Sequence, residues 1–282
     1  MSQTLQGYIT EVRRLLHDAN ANFYTNSQLT DYINGARQRL VRDTGCLRTL
    51  QISQTPMTPV AGGNAPVAWA AGLTVNVGDY VFSNIFLYQV TVAGVLGSTP
   101  PPYPQNGQNF PPSTPFTDGT ATLQYAGRCE VMNFASMPNG TQTLDVLNIN
   151  LFWGNSRYPL RYLPWTQFTA QLRYWQNYIG QPIAFSDYGQ GQIYIAPVPD
   201  QVYAVELDTV ILPTDLVNLT DTDQITDPYT TVVKFYAAYL AKYYEQSFGE
   251  AEIYQQQYTK QVQSVLSSIY TRRIPDPYSN PF

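Results

Sequence analysis

Helical periodicity at both ends of the chain, with period-two alternation between them, constrains the fold most strongly. Apolar residues recur at helical spacing in residues 2–18, 25–45 and 227–270. The stretch GDYVFSNIFLYQV, residues 78–90, instead shows period-two alternation around a Ser-Asn turn, which is typical of two strands. The pattern predicts an α+β fold with an antiparallel helical bundle core, a β subdomain, and an inserted small β-sandwich or barrel-like module.

Local signals mark both ends of the second helix. Thr25 precedes Gln28 by three positions, which is the spacing of a capping box, and Gly45 is a C-terminal stop. The helical hairpin predicted for residues 1–48 keeps its arginines on its outer faces. In the last helical segment, Tyr239 and Tyr243 belong to the apolar stripe that should face inward.

Shifts in composition suggest how the chain is organised. Residues 1–65 and 128–271 are predicted to form the helical core with its β subdomain, and residues 66–127 the inserted β module. Within the core, apolar spacing predicts a helix over 165–179. Residues 272–282, RRIPDPYSNPF, are interrupted by prolines and are predicted to form an extended C-terminal tail.

The low content of charged residues points to large interfaces. Charged residues make up 12% of the chain, against roughly 25% in typical soluble domains. Aromatic residues make up 14%, with 23 tyrosines. Tyrosine offers contact area at little entropic cost and carries a hydroxyl at its tip, so it suits polar interfaces. A secreted, tyrosine-rich β protein would have a similar composition, but we favour the interface interpretation.

The charge distribution argues against an ordinary nucleic-acid binder. The net charge is −5 and the pI about 4.8, whereas such binders are basic. No basic residue occurs between Arg173 and Lys234, where eight acids lie: Asp187, Asp200, Glu206, Asp208, Asp215, Asp221, Asp223 and Asp227. This acidic run is either a solvated face or a surface that repels a polyanion.

No residue pattern points to an enzyme, a metal site or a cofactor. Cys46 and Cys129 lack metal-ligand or redox spacing, and His17 is the only histidine. We therefore predict a non-enzymatic protein without metal or cofactor, whose thiols are reduced. No apolar run approaches the length of about 18 residues that a membrane span needs. Together with the lack of a signal-peptide core, this predicts a protein made and used in solution, with no membrane partner.

Four blocks of sequence resemble the head-to-tail adaptor, or connector, proteins of tailed bacteriophages. They are FYTNSQLTDYINGARQRLVRDTG at 23–45, LFWGNSRYPLRYLPWTQFTAQLRYW at 151–175, GQIYIAPVPDQVYAVELDTVILPTDL at 191–216 and DPYTTVVKFYAAYLAKYYEQ at 227–246. In such adaptors the same blocks follow one another in the same order. The likeness covers about two thirds of the chain and leaves out residues 66–127.

The resemblance implies a structural virion protein of the phage neck or tail, assembled in the host cytoplasm. Such adaptors form a homo-oligomeric ring, commonly of twelve copies, that binds the portal protein and offers a platform to a downstream tail or nozzle protein. Genomic DNA passes through the ring's channel without sequence-specific binding. A channel lined by acids would keep the DNA from adhering. Seven residues are predicted to contact neighbours: Arg37, Arg39, Arg42, Arg272, Arg273, Tyr278 and Phe282.

The inserted module supplies an alternative function. Its Gly-Asp-Tyr-Val motif and following strand resemble small β modules of phage tail and decoration proteins, and also carbohydrate-binding modules of the chitin-binding type. Glycan stacking would need exposed aromatic faces, with Trp69, Tyr80 and Tyr88 as the main candidates beside Tyr103 and Tyr125. The chain would then be a glycan-binding or receptor-recognition tail component. Alternatively, these rings form the core or the edge of a small sandwich, which we consider the better interpretation.

Overall fold

A computed structural model describes residues 3–101, 114–172, 178–189 and 191–271. It divides into two compact units, residues 1–48 with 210–282 and residues 49–209. Five helices lie in the described ranges: α1 (Leu5–Leu15), α2 (Asn26–Thr44), α3 (Trp165–Leu172), α4 (Thr230–Tyr244) and α5 (Phe248–Thr271).

Seventeen strands lie in the same ranges. They are β1 (Arg48–Thr55), β2 (Val67–Ala68), β3 (Thr74–Val75), β4 (Tyr80–Ser83), β5 (Phe86–Val92), β6 (Gly94–Val95), β7 (Phe116–Asp118), β8 (Ala121–Arg128), β9 (Val131–Asn133), β10 (Thr143–Trp153), β11 (Ser156–Pro159), β12 (Arg161–Tyr162), β13 (Ile179–Gly180), β14 (Ala184–Asp187), β15 (Gln192–Ala196), β16 (Val198–Pro199) and β17 (Tyr203–Ile211).

The first unit contains α1, α2, α4 and α5, which share one hydrophobic cluster. Its fully buried side chains include Leu5 of α1, Leu40 of α2 and Val232 of α4. The side chain of Tyr258 of α5 is almost fully buried in the same cluster. Burying a side chain of this size stabilises the fold by about 1.5–3 kcal/mol. The unit is therefore held together by contacts between chain ends that are distant in sequence.

The predicted signals at the ends of α2 are confirmed. The Thr25 hydroxyl accepts a hydrogen bond from the Gln28 backbone N–H at 3.2 Å, and the Gln28 side chain accepts one from the Thr25 N–H at 3.0 Å. Gly45 ends the helix in the left-handed conformation with φ of 60°, which glycine adopts without the strain that a Cβ would cause.

The second unit is made mainly of strands. One four-stranded sheet has the order β1-β17-β10-β11, another has the order β12-β14-β15-β9, and β13 pairs with β16. The segment that contains the predicted module forms a five-stranded sheet, β2-β4-β5-β8-β7, and a pair of short strands, β3-β6. The Ser-Asn turn joins β4 to β5, with Asn84 at a φ of 52°. The sheets enclose separate hydrophobic clusters.

The predicted helical bundle core is wrong, although the chain is α+β overall. The larger unit is β-rich, and strands in several sheets take up a large part of the described chain. Of the helix expected over 165–179, Trp165–Leu172 forms α3, whereas Ile179 lies in β13, which pairs with β16; residues 173–177 lie outside the described residues. Sequence periodicity overstated the helical part because many of the strands are only two residues long.

Candidate functional site

The structure places Arg37 inside the first unit instead of on an outer face. Its side chain is fully buried, with its Nε and Nη2 atoms 3.0 and 2.7 Å from Oδ1 of Asp223. Its Nη1 also donates to the Asn34 side chain at 3.0 Å and to the Thr214 carbonyl at 2.8 Å. The guanidinium that was expected to reach a neighbour is thus bound within the chain.

Asp223 is the centre of this buried network. Its Oδ2 accepts a hydrogen bond from the Tyr8 hydroxyl at 2.6 Å, and its Oδ1 accepts one from the Ile225 backbone N–H at 3.0 Å. Burial, together with the negative charge of Asp223, raises the pKa of Tyr8 well above its usual range. The network joins α1, α2 and the segment before α4, so it is a structural element of the first unit.

Arg13 is a second arginine that the outer-face prediction misplaced. It is buried, and its Nη1 lies 2.8 Å from Oδ2 of Asp18. Its Nη2 donates to the Tyr24 carbonyl at 2.7 Å and to the Asn26 side chain at 2.9 Å. Arg13 therefore fixes the loop between α1 and α2.

Arg39 and Arg42 are exposed on α2, as the prediction of neighbour contacts requires. Arg39 already has a partner within the chain, because its Nε lies 3.0 Å from Oδ2 of Asp43. Asp43 in turn accepts a hydrogen bond from the Tyr258 hydroxyl at 2.8 Å. The other four predicted contact residues, Arg272, Arg273, Tyr278 and Phe282, lie outside the described residues.

The main glycan-stacking candidates are not exposed platforms. Tyr80 and Tyr88 are only 3% and 2% exposed. Trp69 is half-buried against the module's cluster, and its Nε1 donates to Oδ2 of Asp118 at 2.7 Å. Tyr125 is half-buried in edge-to-face contact with Tyr88. Tyr103 lies outside the described residues. A ring in a core cannot stack on a sugar, so these placements give the glycan alternative no support.

The acids of the acidic run hold local structure. Glu206 and Asp223 are buried, and Arg157 binds Glu206 at 2.9 Å. Asp187 and Asp200 accept hydrogen bonds from the Tyr162 and Tyr203 hydroxyls at 2.8 and 2.6 Å. Several of the acids that the sequence suggested for one surface therefore bind other groups of the same chain.

Exposed aromatic rings gather where α4 turns into α5. Tyr244 and Phe248 are 67% and 60% exposed, and Tyr243 lies between them. The ring of Tyr243 contacts Tyr244 at a centroid distance of 6.2 Å and Phe248 at 5.6 Å. Tyr32 of α2 stacks on Tyr244 at 5.5 Å with an interplanar angle of 11°. The rings brace one another and so are positioned before any partner arrives.

The loop between α1 and α2 is joined to the end of α4 through Tyr24 and carries a further exposed aromatic side chain, Phe23. Phe23 is 78% exposed, and the hydroxyl of its neighbour Tyr24 donates to Oε2 of Glu245 at 2.7 Å. The carboxylate of Asp18 holds the loop by accepting backbone N–H groups of Asn22 and Phe23 at 2.8 and 3.2 Å, and that of Tyr24. We call the side chains Phe23, Tyr32, Tyr243, Tyr244 and Phe248 the corner surface.

The charges beside the corner surface are predominantly negative. Nζ of Lys242 lies 3.0 Å from Oε2 of Glu245 and 3.0 Å from Oε2 of Glu250, so one lysine faces two glutamates. Burial alone would lower the pKa of Lys242, but its two carboxylate partners outweigh burial and raise that pKa. Hydrogen bonds from Tyr24 and Lys242 lower the pKa of Glu245. Both glutamates keep exposed side chains.

This arrangement has the anatomy of a protein interface. Aromatic rings at the centre of an interface supply most of the binding energy, and charged groups at its rim supply orientation. Within the described ranges, no cluster of three or more His, Cys, Asp or Glu side chains could hold a metal ion. No helix in the same ranges is long and apolar enough to cross a membrane.

Comparison with known protein families identifies the chain at the family level. The model of the SU10 adaptor protein family matches residues 113–281, which is more than half of the chain. The chain belongs to the SU10 adaptor protein family. It is therefore a phage adaptor, that is, a structural protein and a component of the virion.

The residues that match the family model include only part of the sequence that resembles connector proteins. They include three of the four blocks noted above, and also α4, α5 and the segment that holds Asp223. Residues 23–45 and residues 66–112 of the inserted module lie outside the match. A comparison with curated proteins finds no match.

Sequence reasoning missed the corner surface of the adaptor. The helical stripe placed Tyr243 on an inner face, whereas the structure leaves it exposed at the end of α4. A usable signal was present, because the sequence AAYLAKYYEQSF at 237–248 places several aromatic residues immediately before a break in the helical pattern. Aromatic residues just before such a break lie at the turn between α4 and α5.

Proposed function

We propose that this phage adaptor is a non-enzymatic head-to-tail adaptor that forms a homo-oligomeric ring between the portal and the tail and surrounds the DNA channel. The observation that carries the proposal is the corner surface on a member of an adaptor family. A closed ring needs two different, complementary faces on every copy. Braced aromatic rings are suited to be one of them, because little side-chain entropy is lost when they bind.

The composition supports the same function. A ring subunit covers much of its surface with contacts to neighbours, so it needs fewer charged residues than a monomer does. The chain has 12% charged residues and 23 tyrosines. The twelve copies, the portal and nozzle partners and the passage of DNA belong to this proposal. Among the residues of the module that the structure describes, no placement of an aromatic residue favours the glycan-binding alternative.

Replacing Tyr244 by alanine is expected to weaken assembly of the adaptor on the purified portal complex by about 30-fold. A central aromatic residue of an interface contributes about 2 kcal/mol, which corresponds to that factor. The measurement is the adaptor concentration at which half of the portal complexes carry a ring, counted by mass photometry. Because the portal is present, the assay also detects a ring that forms only on that template.

Tyr178→Ala is the matched control, since Tyr178 is 64% exposed and lies in the other unit. It should leave the half-saturating concentration unchanged. Equal effects of the two variants would refute the role of the corner surface. Electron microscopy of intact virions tests the ring itself, and density that places this chain away from the junction of head and tail would overturn the proposed function.

A further inference from the structure

We infer that the four-stranded sheet β1-β17-β10-β11 continues from one copy of the adaptor into the next, with β11 of one copy pairing with β1 of its neighbour. The inference rests on the proposed ring and adds a subunit contact that is separate from the corner surface. Among the strands that the structure describes, β1 and β11 are the two edges of this sheet. An edge strand presents unpaired backbone N–H and C=O groups, to which a strand of another chain can bind.

The edge strand β1 carries two large apolar side chains that remain exposed. Leu50 is 63% exposed and Ile52 is 68% exposed. They alternate with Gln51, which is buried and whose Nε2 donates to the hydroxyl of the buried Thr209 at 2.8 Å. Because successive side chains of a strand point to opposite faces, Leu50 and Ile52 lie together on the outer face of the sheet. An exposed apolar edge strand promotes aggregation of a monomer, so we expect a partner strand to cover it in the assembly.

The first two strands of the sheet run in opposite directions. The Ile211 N–H donates to the Leu47 carbonyl at 3.0 Å, and the Thr209 hydroxyl donates to the Thr49 carbonyl at 3.1 Å. Residue numbers therefore fall along β17 as they rise along β1, which makes the two strands antiparallel.

The remaining strands continue this alternation, and the two edges are therefore antiparallel to each other. The Asn150 side chain of β10 donates to Glu206 of β17 at 3.3 Å, and Trp153 of β10 stacks on Tyr203 of β17 at 5.9 Å, so these strands are antiparallel. The strands β10 and β11 are antiparallel as well. When β11 of one copy lies beside β1 of the next, the new junction is antiparallel too. Each copy then offers two different, complementary edges, as a ring requires.

The outward-facing backbone groups of β11 can be identified from its end. The Leu160 N–H donates to the Ile149 carbonyl at 2.8 Å, so residue 160 faces β10. Backbone direction alternates along a strand, so Tyr158 also faces β10, whereas Arg157 and Pro159 face away from it. The outward groups are thus the Arg157 N–H and the carbonyls of Arg157 and Pro159. Proline, which has no N–H, occupies a position where an N–H would point out of the sheet.

The same alternation on β1 fixes the register of the contact. The Leu47 carbonyl faces β17, so Leu50 and Ile52 face outward. With Arg157 opposite Ile52, each of these two residues donates its N–H to the carbonyl of the other. Pro159 then lies opposite Leu50, and its carbonyl accepts the Leu50 N–H. This register gives every outward backbone group of β11 a partner on β1.

The side chains agree with this register. Glu206 is three positions from the inward Thr209, so it lies on the outer face, and Arg157 binds it at 2.9 Å. The guanidinium of Arg157 also lies over the ring of Phe152, 5.4 Å from its centroid. Arg157 and the proline of β11 are therefore on the same face as the two apolar side chains of β1. The exposed leucine would pack against the pyrrolidine ring, and Ile52 against the methylene groups of the arginine.

Disulfide trapping in the full-length chain tests the inference. In Ile52→Cys/Arg157→Cys, the paired Cα atoms of neighbouring copies would be about 5.5 Å apart, which a disulfide can bridge. Within one copy, three strand spacings of about 4.8 Å separate the two positions, so a disulfide within a copy cannot form. The variant is assembled on the portal and oxidised. We expect a ladder of covalent multimers on a non-reducing gel that collapses to a single band on reduction.

A second cysteine pair and a matched control complete this test. Leu50→Cys/Pro159→Cys leaves the ion pair of Arg157 intact and should give the same ladder. Val77→Cys/Arg157→Cys is the control, because Val77 is 67% exposed but lies outside the four-stranded sheet. It should give at most chance dimers.

The outcomes separate this inference from the proposed function. If mass photometry shows rings on the portal but neither cysteine pair gives a ladder beyond that of the control, the inference is wrong while the ring stands. Dimers from Ile52→Cys alone, as abundant as those of the double variant, would indicate pairing of two β1 edges and would also refute it. A native chain that forms no assembly at all would overturn the ring and this inference together.

A proline at position 52 tests the backbone hydrogen bonds separately from the side chain. Because the Ile52 N–H faces outward, Ile52→Pro removes no hydrogen bond between β1 and β17, but it removes a donor to the incoming strand. We expect an unchanged unfolding temperature for the unassembled chain and a roughly tenfold higher half-saturating concentration on the portal. Ile52→Ala, which keeps the N–H, should have a smaller effect. Normal assembly of Ile52→Pro would contradict the strand pairing.

Discussion

Replacing Asp223 by alanine is expected to lower the free energy of unfolding by about 3–5 kcal/mol, the usual cost of removing one partner of a buried ion pair. The variant leaves the Arg37 guanidinium buried, with only the Asn34 side chain and the Thr214 carbonyl as acceptors. Tyr8 and the Ile225 N–H lose their acceptor as well. Urea denaturation followed by circular dichroism measures the change.

Asp215→Ala is the matched control for this prediction. Asp215 is exposed on the same segment and accepts one hydrogen bond from the Gln38 side chain at 3.2 Å. Its replacement should change the free energy of unfolding by no more than about 0.5 kcal/mol. Asp223→Asn, which keeps the shape and one carbonyl oxygen, should fall between the native chain and Asp223→Ala. Equal stabilities of the two alanine variants would show that the network does not hold the unit together.

The network shows why sequence reasoning located the helix but misplaced its arginine. The capping box and Gly45 are local signals, and both were read correctly because the interacting groups lie within four residues of each other. The partner of Arg37 is Asp223, which is 186 positions away. Position 37 lies at helical spacing from Ile33 and Val41, which is an inward position, but its arginine was predicted on an outer face. The residue type argued for the outside, since arginine is buried only where a partner is present.

The β-rich unit was underestimated for a similar reason. Strands such as β2, β3 and β13 have two residues each, which is too short to show any period. The sheets also pair distant parts of the chain, as β1 with β17. Periodicity reports which face of a segment is apolar, but it does not report which distant segment covers that face. The same limit applies to the corner surface, because the apolar stripe of α4 does not show which of its aromatic residues the other segments leave exposed.

Gly140→Ala is expected to lower the free energy of unfolding by about 3 kcal/mol, the upper part of the range for overpacking a tight site. A Cβ at position 140 would lie 1.8 Å from the Phe134 carbonyl oxygen and 2.9 Å from the carbonyl carbon of Ala135. These contacts are backbone atoms, so no side-chain rotation relieves them. The Asn-Gly turn must move instead, although its Gly140 N–H donates to the Met137 carbonyl at 3.0 Å.

Movement of that turn would disturb packing in the core of the second unit. Met137 is 1% exposed in the hydrophobic cluster, and β10 begins at Thr143, whose N–H donates to the Asn139 carbonyl at 2.9 Å. Gly180→Ala is the matched control, because a Cβ there meets nothing within 4 Å and its φ is not positive. We expect Gly180→Ala to change the free energy of unfolding by less than about 1 kcal/mol. If urea denaturation gives the two variants the same stability, close packing of this turn does not limit the stability of the unit.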